Sequence, residues 1–179
     1  MNLRLARRKD RLERINEQLR DLYGPLYALE ISARSAWMEF RKQYRPDRRY
    51  WQNDPPPTAE EAQAWRTWMK SVFMPINRRM RDVVVTKAHL IDGSEMPQSL
   101  RDLAAHVSAY EPILARWDDN DFSIHKPPLS FPRDTLVVYL EIEFQNLKER
   151  QQDLLKEPLI KASLGIQRAS TPQRSSGRR

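Results

Sequence analysis

Cysteine is absent from this chain of 179 residues, which removes disulfide scaffolds, thiolate zinc sites and cysteine nucleophiles in one step. Glycine is nearly as scarce, at four residues, and β-branched side chains are few beside Leu, Arg, Ala and Glu. Both scarcities favour helices over turn-rich sheets. No window approaches the roughly 18 apolar residues that a spanning helix needs, and the opening stretch from Met1 to Arg8 has no apolar signal core. The expected compartment is the cytoplasm. The three histidines form no H-x-x-x-H or H-E-x-x-H pair, so zinc-protease chemistry has no support. No motif calls for a cofactor.

Hydrophobic residues make up 40% of the chain and charged residues 31%, a globular mixture long enough for one domain with a core. The net charge of +7 is not spread evenly. Residues 1–20 hold seven Arg/Lys against three Asp/Glu, and residues 158–179 hold five Arg/Lys and no acid. The stretch between them carries a net −2. Attraction to polyanions therefore belongs to the ends.

Leu12, Ile15, Leu19, Leu22, Leu26, Leu29, Ala33, Ala36 and Phe40 alternate spacings of three and four, a heptad pattern of the coiled-coil kind. It passes through Gly24-Pro25 without losing register, and proline inside a helix bends it. The spacing predicts one kinked helix over 3–44, or two helices meeting at Gly24. Thr58-Ala-Glu-Glu61 then has capping-box spacing. A stripe of Ala62, Trp65, Met69, Val72, Ile76, Met80 and Val83 follows across Pro75 to about residue 88. Glu95-Met96-Pro97 opens a third helix, with Leu100, Leu103, Val107, Tyr110, Leu114 and Trp117 on its stripe and Pro112 inside. Pro132 opens a fourth, whose stripe is Val137, Leu140, Phe144, Leu147, Gln151 and Leu154, and Pro158 is expected to stop it. Residues 1–157 thus read as a helical domain and 158–179 as a basic tail whose polar composition predicts disorder.

Four narrow apolar seams predict an all-α, antiparallel four-helix bundle with long, proline-kinked helices. An up-down-up-down order places both termini, and both clusters of positive charge, at one end. Leu22-Tyr-Gly-Pro-Leu26, Val72-Phe-Met-Pro-Ile-Asn77, Glu95-Met-Pro97, His106-Val-Ser-Ala-Tyr110 and Asp121-Phe-Ser-Ile-His125 resemble stretches of a group of bacterial hypothetical helical proteins. The resemblance covers about residues 12–155 and implies no activity. Some members of that group carry an apolar anchor ahead of the region corresponding to Arg11; none is expected here, since residues 1–10 hold no apolar run.

Arg101-Asp-Leu-Ala-Ala-His106 matches the arginine–histidine spacing of HEPN-type ribonucleases, themselves helical bundles, which makes Arg101, His106 and the adjacent Glu111 the catalytic candidates. With 23 arginines in the chain, about one such match arises by chance. The alternative for His106 is a buried helix residue satisfied by a neighbour. Asp118, Asp119 and Asp121 with His125 are hard-cation ligand types, but the run lacks the glycine and distant glutamate of an EF-hand loop. They are expected instead to cap the third helix and face Arg45, Arg48 and Arg49. No metal site is expected. Because Trp51 and Phe122 join these charges, the candidate binding surface comprises Arg45, Arg48, Arg49, Trp51, Asp121, Phe122 and His125.

The expectation is a non-enzymatic interaction protein with a protein partner or a second copy of itself, the first half of helix one being long enough to outrun helix three. Its basic ends would give weak contact with an anionic membrane, at the inner face, or with nucleic acid. A ribonuclease using Arg101 and His106 is the alternative. The sequence identifies no small-molecule substrate.

Overall fold

Pro25 and Pro75 each stand inside an apolar stripe, and the backbone answers both in the same way. A computed structural model of the chain describes residues 3–46 and 55–168, with side chains except at residue 4 and from 157 onward. All regular structure among these residues is helical. Helix α1 (Leu3–Glu17) runs through a π turn, Gln18–Tyr23, directly into α2 (Gly24–Gln43). Helix α3 (Ala59–Trp68) likewise runs through a π turn, Met69–Phe73, into α4 (Met74–Thr86). The residue before each proline donates its N–H five residues back, Gly24 to Leu19 O and Met74 to Met69 O. Each π turn inserts an extra residue ahead of an imino acid that has no N–H to give, and the helix continues without a break.

The extra residue also turns the apolar face. Past Met69 the buried positions of the helix are Phe73, Met74, Asn77, Met80 and Val84, whereas Val72, Ile76 and Val83 of the expected stripe are only partly buried. In the first helix Gln18, Tyr23 and Glu30 join Leu22, Leu26 and Phe40 inside. Helix α5 (Gln98–Asp118) carries Pro112 within it. Aromatic-x-Pro-aliphatic therefore recurs at Tyr23 to Leu26, Phe73 to Ile76 and Tyr110 to Ile113, and all three aromatics are buried.

Helix α6 (Arg133–Arg168) is the longest. Its backbone passes Pro158, where the sequence reading ends the helix. Pro158 cannot donate to Leu154 O; the Arg8 guanidinium does so instead, its Nε at 2.7 Å and its Nη2 also directed at that oxygen. The expected disorder of the tail from 169 onward lies outside the described residues.

Helix α2 packs on α4, α4 on α5, α5 on α6, and α6 on both α1 and α2, so the contacts close on themselves. At one end Phe40 is fully buried in an aromatic knot, with ring centroids 5.1 Å from Tyr44, 5.4 Å from Trp68 and 5.7 Å from Trp65. The Thr58 capping box forms as its spacing predicts, with Thr58 N–H donating to Glu61 Oε2 at 2.7 Å and Glu61 N–H to Thr58 Oγ1 at 3.2 Å. Arg45, in a left-handed backbone conformation (φ 54°), reaches Glu61 Oε1 at 2.8 Å and the Pro55 carbonyl at 2.9 Å.

Gly24 lies tight against the first π turn: a Cβ there would lie 2.3 Å from Leu19 O, a backbone atom, so the turn would have to shift to admit it. Gly24→Ala is expected to destabilise by about 1–3 kcal/mol, which at roughly 2–4 °C per kcal/mol lowers the thermal midpoint by several degrees. Thermal unfolding followed by circular dichroism measures it, and an unchanged midpoint contradicts the π turn.

Candidate functional site

After α5 the chain must turn back toward α6, and its first step is a left-handed Asn120 (φ 60°) that ends the helix. Asp121 N–H donates to Arg116 O at 2.8 Å and Asn120 N–H to Trp117 O at 3.2 Å, the paired bonds of a Schellman ending. Asp121 Oδ1 accepts from Ser123 N–H at 3.0 Å and Ser123 Oγ at 2.6 Å, and Arg116 Nε donates to Oδ2 at 2.7 Å. Those bonds, led by the Ser123 hydroxyl, pull the Asp121 carboxyl down to about 2.

The loop 119–132 then hangs from side chains of the helices by its own carbonyls. Trp117 Nε1 donates to Ile124 O at 2.8 Å, Trp65 Nε1 to His125 O at 3.0 Å, and the Tyr110 hydroxyl to the same oxygen at 2.8 Å. His106 Nδ1 lies 2.8 Å from Leu129 O. A carbonyl only accepts, so the proton sits on Nδ1. Phe131 meets the His106 ring edge-on at 5.5 Å.

Beneath this loop is a cavity of about 300 Å³, walled by Trp37, Trp65, Met69, Phe73, Tyr110 and Phe131. Its polar groups are few: Glu30 and Arg34 from α2, Asn77 from α4, His106 from α5, Lys126 and Ser130 from the loop, and Arg133 at the start of α6. Glu30 is 3% exposed, with Oε1 3.7 Å from Arg34 Nε, and Oε2 has no hydrogen-bond partner among the described residues. Burial raises its carboxyl above the ordinary 4.5, outweighing the opposing pull of Arg34 and Arg133. The Arg133 guanidinium lies over the Trp37 ring, 4.2 Å from its centroid, and burial lowers its affinity for the proton. Burial likewise lowers His106, against the effect of the Leu129 bond.

The catalytic candidates do not converge. Arg101 is exposed and bonded to Gln98 Oε1. His106, five residues on, points about 140° away around the helix and lines the cavity. Glu111 faces α4, its carboxylate gripped by Arg78 Nε at 2.8 Å and Nη2 at 2.6 Å. The binding-surface candidates are also divided. Arg45 is engaged with Glu61 and the loop carbonyls, Phe122 is exposed with Arg66 stacked at 4.1 Å, and His125 contributes its carbonyl to the loop. Arg48, Arg49 and Trp51 lie outside the described residues. The acids expected to face Arg45 pair elsewhere: Asp118 with Lys70 at 2.5 Å and Asp121 with Arg116. Among the described residues no cluster of three His, Asp or Glu is arranged to hold a metal ion. No described helix is long and apolar enough to cross a membrane. Part of the basic amino-terminal segment is used internally, with Arg14 donating to His89 O and Arg20 pairing with Asp21 as Arg8 does with Leu154.

Glu30, Asn77, Arg34, Lys126 and Arg133 were not singled out by motif. The available signal was a polar residue on an apolar face: Glu30 is four residues beyond Leu26, and Asn77 four beyond Phe73. No protein-family model, curated protein or solved structure matches the chain.

A carboxyl raised on folding keeps its proton at pH values where the unfolded chain has lost it. Its contribution to stability therefore falls as pH rises above about 4.5 and stays reduced at neutrality. Glu30→Gln is expected to raise the thermal midpoint near pH 7 and to leave it nearly unchanged near pH 4. Calorimetry across that range measures it, and a variant less stable at pH 7 contradicts the buried, underpaired carboxylate.

Proposed function

We propose that this chain is a non-enzymatic binding protein, built as an antiparallel bundle of four proline-bent helices, that holds a small ligand in the cavity under loop 119–132. The observation that carries this reading is Glu30. A carboxylate almost wholly withdrawn from water, with one oxygen unpartnered, is costly in a fold that does not use it. It sits in a cavity of ligand size whose walls are mostly apolar, with five aromatic side chains among them, and whose polar groups come from four helices and the loop. Such sites fix a ligand's orientation by a few polar contacts and derive affinity from apolar burial. The dispersal of Arg101, His106 and Glu111 favours binding over RNA cleavage, since no acid–base pair lies within reach of a common atom.

The test uses a neutral aromatic probe, N-phenyl-1-naphthylamine, whose emission rises on entering an apolar site. Saturable enhancement is expected with the unaltered protein. It should be lost in Ala33→Phe, which places a ring at the cavity wall. Enhancement of equal size in both proteins would show that the probe binds elsewhere, and no enhancement in either contradicts the reading.

A further inference from the structure

The cavity is lined by one acid and three cations. Arg34 and Arg133 are close enough to Glu30 to act on its titration, and Lys126 is exposed. Among the described residues Arg133 has its stacking contact with Trp37 and no carboxylate within 4.0 Å, and Arg34 has only the loose 3.7 Å approach to Glu30. An unpartnered acceptor oxygen on Glu30, a partly buried Arg133 guanidinium resting on a ring and a half-exposed Arg34 thus line one cavity with apolar walls. Guanidiniums recognise planar oxyanions through their fixed fork of donors. A buried carboxylate oxygen asks for a hydrogen-bond donor.

Resting on the binding reading above, we propose that the ligand is an apolar acid bearing a hydrogen-bond donor beside its carboxylate, the chemistry of an α-amino or α-hydroxy acid with a bulky apolar side chain. The carboxylate lies at Arg133 and Arg34, the adjacent N–H or O–H donates to Glu30, and the side chain lies against Trp65, Met69 and Phe73. The three cations around one acid leave room for the ligand's negative charge. The same arrangement disfavours a simple amine, which would meet the guanidiniums, and a simple hydrocarbon, which would leave Glu30 and both arginines unpaired.

The experiment is calorimetric titration of the full chain with phenylalanine, 3-phenyllactate, 3-phenylpropionate and 2-phenylethanol. Excitation of tryptophan at the red edge, where the phenyl ligands do not absorb, reports Trp37 and Trp65 in parallel. Phenylalanine or phenyllactate is expected to bind about tenfold or more tightly than phenylpropionate, which lacks the donor, and than phenylethanol, which lacks the carboxylate. The relative strength of the first two tells the amino from the hydroxy source. Arg133→Gln should remove the preference over phenylethanol. Glu30→Gln, which keeps an acceptor but adds a donor, should reduce the preference over phenylpropionate. Equal affinity for all four, or no binding by either acid with a donor, overturns the assignment. The naphthylamine titration of the unaltered and Ala33→Phe proteins then decides separately whether the cavity binds apolar molecules at all.

Discussion

The loop between α5 and α6 depends on carbonyl groups finding donors away from bulk water. An irregular segment laid over a packed surface has no ladder or helix to satisfy its backbone. Here the donors are side chains anchored in the helices: two indoles, a phenol and an imidazole converge on the carbonyls of Ile124, His125 and Leu129. Trp65, Tyr110 and Trp117 are themselves buried, so their polar tips are fixed by the packing of their rings. The loop is held where Phe131 meets His106 and where Arg133 begins α6 over Trp37. The roof of the cavity and the placement of its cations both follow.

The same demand shapes the helices. Proline deprives a carbonyl one turn back of its partner, and this chain puts proline inside several apolar stripes. Pro25 and Pro75 are accommodated by π turns that shift the bonding register, and at Pro158 Arg8 crosses from α1 to α6 to serve Leu154. The π turns have a further effect on the site. By rotating the inward face by one residue, they bring Phe73 and Asn77 inside in place of Val72 and Ile76. The position of Asn77 at the cavity wall is a consequence of Pro75.

Much of the helical content was legible because its signals are local: the three-four spacing, the Thr58–Glu61 box, and prolines at the starts of α5 and α6. The face that the second helix buries around Pro75 was not, whereas the expected Leu26 and Phe40 beyond Pro25, and Leu114 and Trp117 beyond Pro112, are buried. Periodicity assumes a constant rotation per residue, and a π turn changes that rotation while leaving the composition of the segment unaltered. The end of α6 was misplaced for a related reason, since the donor replacing the missing amide of Pro158 comes from a residue 146 positions away from Leu154. His106 stood out as a histidine on an apolar face, and its structural role in the loop was visible as one of two readings. The cavity's acid and its arginines were hidden because they belong to no motif. They are brought together only when α2, α4 and the start of α6 pack.

The cavity is an electrostatically unfinished place inside an otherwise well-satisfied fold. Arg78 with Glu111, Arg45 with Glu61, and Asp121 with Arg116 are all matched, while Glu30 retains an unserved oxygen. That contrast makes the region under the loop the part of the molecule where a ligand changes most. All of it presupposes that the loop is suspended from indole donors. The direct measurement is hydrogen exchange of the tryptophan indole N–H groups, assigned by nuclear magnetic resonance through single Trp→Phe replacements. The account predicts that the Trp65 and Trp117 indole protons exchange far more slowly than those of a solvent-exposed indole; exchange of both at the exposed rate would contradict it.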